Sequence, residues 1–66
     1  MQIKINGREQ EIEDIDTLET LAERKKLIKK NTVIELNGEI IPHTQWCEMT
    51  LKKGDLIEIV HFVGGG

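Results

Sequence analysis

The chain ends in three consecutive glycines, Gly64, Gly65 and Gly66, which directly follow its longest strand pattern. Glycine has no Cβ atom and adopts almost any backbone conformation, so such a tail can thread a narrow channel into another protein's active site. The terminal carboxylate of Gly66 would then be the reactive group. Joined to AMP it becomes a mixed anhydride, from which a sulfur nucleophile can displace AMP and leave a thiocarboxylate. The alternative interpretation is a frayed terminus without chemistry.

Three other side chains, His43, Cys47 and His61, are candidates for chemistry within the chain itself. Cys47 follows His43 by four positions, so one helical turn would bring the two together. Structural zinc usually takes four protein ligands, whereas these residues offer three at most, and His61 belongs to a different element. A nucleophile and base pair would need an orienting group and an oxyanion site, and the sequence offers neither nearby. We therefore predict no catalytic residue and no metal site, and interpret Cys47 as a small half-buried residue.

Length and composition narrow the class of protein. The 66 residues suffice for one domain with a thin core, which leaves little volume for a deep substrate cavity and disfavours an enzyme. We expect a cytoplasmic protein with no membrane partner, because no apolar run approaches ~20 residues and no signal-peptide pattern is present. The net charge of −3 argues against nucleic acid as the main partner. Nothing in the sequence demands more than a monomer.

Charges are segregated along the chain. Acidic residues are concentrated between Glu9 and Glu23, and basic residues follow between Arg24 and Lys30. Two solvated faces that keep a small domain soluble are one interpretation. An acidic patch that steers the protein to a basic partner is the other.

Two Asn-Gly pairs, Asn6-Gly7 and Asn37-Gly38, predict two hairpins. The type I′ turn needs positive φ at both central residues, which asparagine and glycine tolerate best. The strands that these turns join are predicted at Gln2 to Asn6, Arg8 to Ile12, Val33 to Asn37 and Ile40-Ile41, the last of them ended by Pro42. The polar segment Arg8 to Ile12 is expected near a sheet edge.

One main helix is predicted from about Thr17 to Lys26. Asp16 is the expected N-cap, with Glu19 three residues later as in a capping box. The apolar side chains on one helical face are Leu18, Leu21 and Ala22. Leu27 and Ile28 are expected to close the core after the helix, and Trp46, on a short helical turn, to pack over it.

The segment Leu56 to Val63 predicts the final strand. Period-two alternation directs Ile57 and Ile59 to the core, and Val60 and Phe62 to the opposite face, which a single helix does not cover. Exposed apolar residues beside the tail favour a docking surface for a partner, although two such residues also occur by chance. We divide the chain into a domain, residues 1–63, and a flexible glycine tail, residues 64–66.

Taken together, the elements predict an α+β fold of the β-grasp, or ubiquitin-like, type. Its sheet would be mixed and four- to five-stranded, with the first and last strands adjacent in the middle. The one main helix would pack on one face.

Several segments resemble a known family. They are Glu58 to Gly66, the preceding Lys53-Gly54-Asp55, and Leu36 to Pro42 followed by Trp46. These residues resemble the sulfur carriers of bacterial thiamine biosynthesis, the ThiS family, and the resemblance covers the whole chain.

The resemblance implies a protein substrate rather than an enzyme. An E1-like adenylating enzyme of the ThiF type would use ATP to activate Gly66, and the carrier itself would bind no cofactor. A cysteine desulfurase would supply sulfur indirectly, and the thiocarboxylate would donate it to a thiazole synthase of the ThiG type. Only Gly65 and Gly66 carry over as functional residues from the family's motif, with Gly66 as the modified one.

Alternatives share the fold and the tail. A carrier for molybdopterin, for tRNA thiolation or for cysteine synthesis would use the same chemistry, and a ubiquitin-like modifier would form isopeptides with lysines instead. An interaction module with an incidental glycine tail is the alternative without carrier chemistry. It predicts that deleting Gly65 and Gly66 leaves function intact.

Overall fold

A computed structural model describes residues 1–14 and 16–62 of the chain. Ile15, Val63 and the three terminal glycines lie outside the described residues. The predicted roles of Gly65 and Gly66 therefore fall outside them too, as does the predicted end of the last strand at Val63.

The described residues form one mixed sheet and one α-helix. The strands are β1 (Gln2–Ile5), β2 (Arg8–Glu11), β3 (Thr32–Leu36), β4 (Glu39–Ile40) and β5 (Leu56–His61), and the helix is α1 (Leu18–Arg24). Two 3-10 helices span Lys29–Asn31 and His43–Glu48. The strand order is β2-β1-β5-β3-β4, with β5 parallel to β1 and antiparallel to β3. This confirms the predicted arrangement, in which the first and last strands are central neighbours.

Both predicted hairpin turns are confirmed by their backbone angles. Asn6 and Gly7 have φ values of 51° and 83°, and Asn37 and Gly38 have values of 52° and 88°. These are the angles that a type I′ turn requires. The strand after the first turn, β2, lies at the sheet edge as expected, and its residues are exposed or partly exposed.

The start of α1 differs from the prediction. Thr17, not Asp16, is the N-cap, and its hydroxyl accepts a hydrogen bond from the backbone N–H of Thr20 at 3.2 Å. Asp16 is 2% exposed, and its carboxylate accepts from the N–H of Glu13 at 3.0 Å and pairs with Arg24 at 2.5 Å. A buried carboxylate needs such partners, so Asp16 ties the preceding loop to the last turn of the helix.

The helix also ends earlier than Lys26. Lys26 has a φ of 57°, and its N–H donates to the carbonyl of Glu23 at 3.0 Å. The N–H of Leu27 donates to the carbonyl of Ala22, also at 3.0 Å. These two bonds define a Schellman cap, which satisfies the last carbonyls of the helix with a left-handed residue at its end.

The two residues after the cap were both expected in the core, and the structure places one of them there. Leu27 is partly buried against the core, whereas Ile28 is 51% exposed. Ile28 has an extended backbone (φ −88°, ψ 116°). Successive side chains of an extended segment point to opposite sides, so Leu27 and Ile28 cannot both face the core.

The core lies between the sheet and α1. Its buried apolar residues are Ile3, Ile5, Ile12, Leu18, Leu21, Ala22, Ile34, Leu36, Ile41, Trp46, Leu51 and Ile57. Trp46 is fully buried, as predicted, and its indole N–H donates to the carbonyl of Ile41 at 2.9 Å. The His43 ring meets it edge-on at 4.9 Å, and the Lys29 ammonium lies 5.7 Å from its ring centre.

Candidate functional site

Strand β5 carries Val60 and ends one residue before Phe62, the other predicted docking residue, and it is anchored on both sides. On the β1 side, the N–H of Ile59 donates to Asn6 Oδ1 at 2.8 Å, and Asn6 Nδ2 donates to the carbonyl of Ile59 at 3.3 Å. The asparagine amide thus takes the place of a peptide group beyond the end of β1. On the β3 side, the N–H of Phe62 donates to the carbonyl of Asn31 at 2.8 Å. The strand is therefore paired up to the last described residue.

The side chains of β5 alternate as the sequence predicted. Ile57 is 1% exposed, and Ile59 is partly buried against the core. Val60 and Phe62 are 52% and 58% exposed, on the side of the sheet away from α1. The exposure of the two predicted docking residues is confirmed, while their docking role stays a prediction.

Exposed apolar surface extends further than those two residues. Val33 lies opposite Val60 in the β3–β5 register, and Ile40 lies beside Glu35 in the β3–β4 register. We call this surface the open face. It comprises the exposed apolar residues Val33, Ile40, Leu56, Val60 and Phe62, together with Glu35 and Glu58. Apart from Ile28, it holds all the exposed large apolar side chains of the described residues. Exposed apolar patches of this kind often mark sites of protein interaction.

Of the open face, the sequence analysis predicted only Val60 and Phe62. The alternation of β5 places Leu56 on the same face of the sheet as Val60. The alternation of β3 places Val33 on the face opposite to that of the buried Ile34. These signals were in the sequence, but they do not show that the two strands are neighbours. Ile40 gave no signal, because β4 has only two residues and its face is set by pairing with β3.

The other three candidates for chemistry, His43, Cys47 and His61, do not form a common site in the described residues. His43 Nε2 lies 2.8 Å from the carbonyl oxygen of Thr32, and His61 Nε2 accepts from the N–H of Ile28 at 3.4 Å. Cys47 is exposed and not half-buried, since Trp46 takes the inward position on the 3-10 helix. In residues 1–14 and 16–62 no three histidine, cysteine or acidic side chains cluster in a way that would hold a metal ion. No helix of that part of the chain is long and apolar enough to span a bilayer.

The described residues have the architecture of a small β-grasp protein. The first and last strands are neighbours in the middle of a mixed sheet, one α-helix covers one face, and the other face is uncovered and partly apolar. Comparison with known proteins makes the assignment specific. The model of the ThiS family matches residues 3–66. The sulfur carrier protein ThiS of Bacillus subtilis is 38% identical over 65 residues, which are 97% of this chain and 98% of that protein. The chain therefore belongs to the ThiS family, the sulfur carriers of thiamine biosynthesis.

Solved structures agree with this assignment. The crystal structure of the thiamine biosynthesis protein ThiS from Geobacter metallireducens superposes with a TM-score of 0.83 at 28% identity, with both chains fully covered. A thiazole synthase of Paramagnetospirillum magneticum is 33% identical over 66 residues, all of this chain. The chain spans only 20% of that protein's length.

Proposed function

We propose that the chain carries sulfur as a thiocarboxylate on Gly66. The carboxylate of Gly66 would attack the α-phosphorus of ATP and release pyrophosphate, and a sulfur nucleophile would then displace AMP from the resulting acyl adenylate. Hydrosulfide would give the thiocarboxylate directly, whereas a persulfide would give an acyl disulfide that a thiol then reduces to the thiocarboxylate. The observation that carries this proposal is the Gly-Gly-Gly end, which closely follows β5 in a member of a sulfur-carrier family.

In this proposal the chain is a substrate and its partners are the enzymes. An adenylating enzyme of the ThiF type uses the ATP, a cysteine desulfurase provides the sulfur, and a thiazole synthase of the ThiG type receives it. Support for the last partner comes from the thiazole synthase whose sequence includes a segment similar to this entire chain. Carrier-like and synthase sequences are thus joined in one polypeptide in that relative.

The open face is the proposed docking surface. Val60 and Phe62 are the members of this face closest to the tail in sequence, and both are more than half exposed. A partner that holds the tail in its active site contacts these residues first. Burial of the remaining apolar residues of the face would add hydrophobic stabilisation to the complex.

Intact-protein mass spectrometry tests the carrier chemistry. The chain is incubated with ATP, the adenylating enzyme and a sulfur source. We expect a mass gain that matches the replacement of one oxygen by sulfur, and no gain when Gly66 is deleted. Neither adenylate nor thiocarboxylate, with enzymes that process another carrier, would refute the proposal for this set of partners. A tail that forms isopeptides in cell extracts would instead indicate a modifier.

The substitution Phe62→Ala tests the docking surface. We expect the affinity for the adenylating enzyme to fall about 30-fold, or about 2 kcal/mol, since buried aromatic anchors dominate interface energies. Phe62→Leu keeps much of the apolar volume and is the matched control, with a loss of affinity clearly smaller than that of the alanine variant. Titration calorimetry gives the dissociation constants, and thermal melts should be alike because Phe62 is 58% exposed. Equal affinity of the alanine variant and the wild type would remove Phe62 from the docking surface.

A further inference from the structure

Two glutamates face each other on the open face. Glu35 of β3 lies directly opposite Glu58 of β5 in the antiparallel register. Side chains at such positions have Cβ atoms about 5 Å apart, and like charges there are destabilising. The ion pairs between described residues involve neither Glu35 nor Glu58. Among the described residues, the open face thus holds a pair of negative charges that no ion pair compensates.

The neighbouring charges do not neutralise this pair. Lys4 lies opposite Leu56 on β5, but it faces Glu9 directly across the β1–β2 ladder. Lys53 lines an adjoining groove with Lys4, Glu9 and Leu56. The three glutamates and two lysines together leave a net charge of −1 on this part of the sheet. Both glutamates of the pair line one shallow groove of about 410 Å³, with Lys4 and Leu56 at its sides. The surface is therefore concave, acidic and partly apolar.

A partner docked beside the tail would cover this groove. Glu58 precedes Phe62 by four residues, which is about 13 Å along a strand. A standard interface buries about 800 Å² on each partner, equivalent to a disc of roughly 16 Å radius. An interface centred on Val60 and Phe62 therefore extends over both glutamates. It removes their water and leaves them adjacent and charged, which is unfavourable unless an opposite charge accompanies the burial.

We infer that the partner which covers the open face places a cationic side chain, of arginine by preference, between Glu35 and Glu58. A guanidinium group presents its donors in a planar fork and can serve two carboxylates at once. This inference rests on the proposed function and specifies the chemistry of the docking partner. A second copy of this chain is a poor occupant, because face-to-face contact would bring two acidic pairs together.

Isosteric neutralisation tests the inference. Glu35→Gln and Glu58→Gln are made singly and together, and Glu48→Gln removes an equal charge from an exposed site on the second 3-10 helix. We expect each single variant of the pair to bind the adenylating enzyme at least about tenfold more weakly. The double variant should be little weaker than either single one, since both glutamates contact one cation. Glu48→Gln should bind as the wild type does.

Urea unfolding of the Glu35 and Glu58 variants distinguishes the loss of a contact with the partner from the loss of folded structure. Relief of the Glu35–Glu58 repulsion should leave the urea midpoint of each single variant unchanged or higher. Full affinity of both single variants would overturn the inference, while the proposed function would stand if the wild-type chain still acquired the thiocarboxylate. A wild-type chain that the adenylating enzyme does not process would overturn both. A wild-type dimer in gel filtration that dissociates on Phe62→Ala would identify a second copy as the occupant and overturn the inference.

Discussion

The substitution Gly65→Val is expected to slow thiocarboxylate formation on Gly66 by at least about 100-fold. In the proposed function the tail passes through a narrow channel, and valine would add a branched side chain at that point. Valine is also confined to fewer backbone conformations than glycine. Misplacement of a reacting group by about 1 Å is enough to cost about 100-fold in rate. The rate of adenylate and thiocarboxylate formation, followed by intact mass at saturating adenylating enzyme, measures this effect.

Two controls make the result specific to the tail. Gly64→Ala changes the glycine to which no separate role is assigned, and its rate should stay near that of the wild type. The urea midpoint of Gly65→Val should equal that of the wild type, because the buried core is built from residues between Ile3 and Ile57. A Gly65→Val chain that is thiolated at the normal rate would contradict threading of the tail. The chain would still be a carrier, but one whose tail does not require glycine at position 65.

Features encoded by neighbouring residues were predictable from the sequence. The two Asn-Gly turns form as expected, since their requirement for positive φ is met by the two residues themselves. Less predictable was the second role of these asparagines. The amide of Asn6 binds the backbone of Ile59, and Asn37 Oδ1 accepts from the N–H of Leu56 at 2.9 Å. These three bonds join the hairpins to β5, and only the assembled sheet brings their donors and acceptors together.

The error at the helix start has a similar origin. Asp16 and Thr17 are both residue types that cap helices, so local preference does not choose between them. The position of Arg24 determines which residue caps the helix. Its guanidinium, in the last turn of the helix, pairs with the buried carboxylate of Asp16, so that carboxylate is not available as the cap. Thr17 is left to cap. Interactions between residues eight positions apart are not part of a capping pattern.

In the candidate site, too, features set by one strand were predictable from the sequence, whereas features set by the pairing of two strands were not. Alternation within β5 predicted that Val60 and Phe62 are exposed, because it depends on one strand alone. The facing pair Glu35 and Glu58 depends on the register between two strands that are distant in the chain, which the sequence pattern does not specify. The proposed roles of Gly65 and Gly66 rest on their chemistry and on the family, since both lie outside the described residues.

The substitution Trp46→Ala is expected to destabilise the domain by about 3–5 kcal/mol. Trp46 is fully buried, and its replacement leaves a cavity and an unpaired carbonyl at Ile41. A chain of 66 residues has a total stability of only about 3–10 kcal/mol at typical values per residue. Much of the variant should therefore be unfolded without denaturant, as urea titration followed by far-UV circular dichroism would show.

Trp46→Phe separates volume from hydrogen bonding. Phenylalanine fills most of the site but lacks the indole N–H, so we expect a smaller loss of about 1–3 kcal/mol. Equal losses for the two variants would show that the hydrogen bond to Ile41, not the packed ring, stabilises this side of the core. Because Trp46 lies in the core and the predicted docking residues lie on the open face, the folded fraction of either variant should bind the adenylating enzyme with wild-type affinity. A folded Trp46→Phe chain that failed to bind would mean that the two faces of the sheet are coupled.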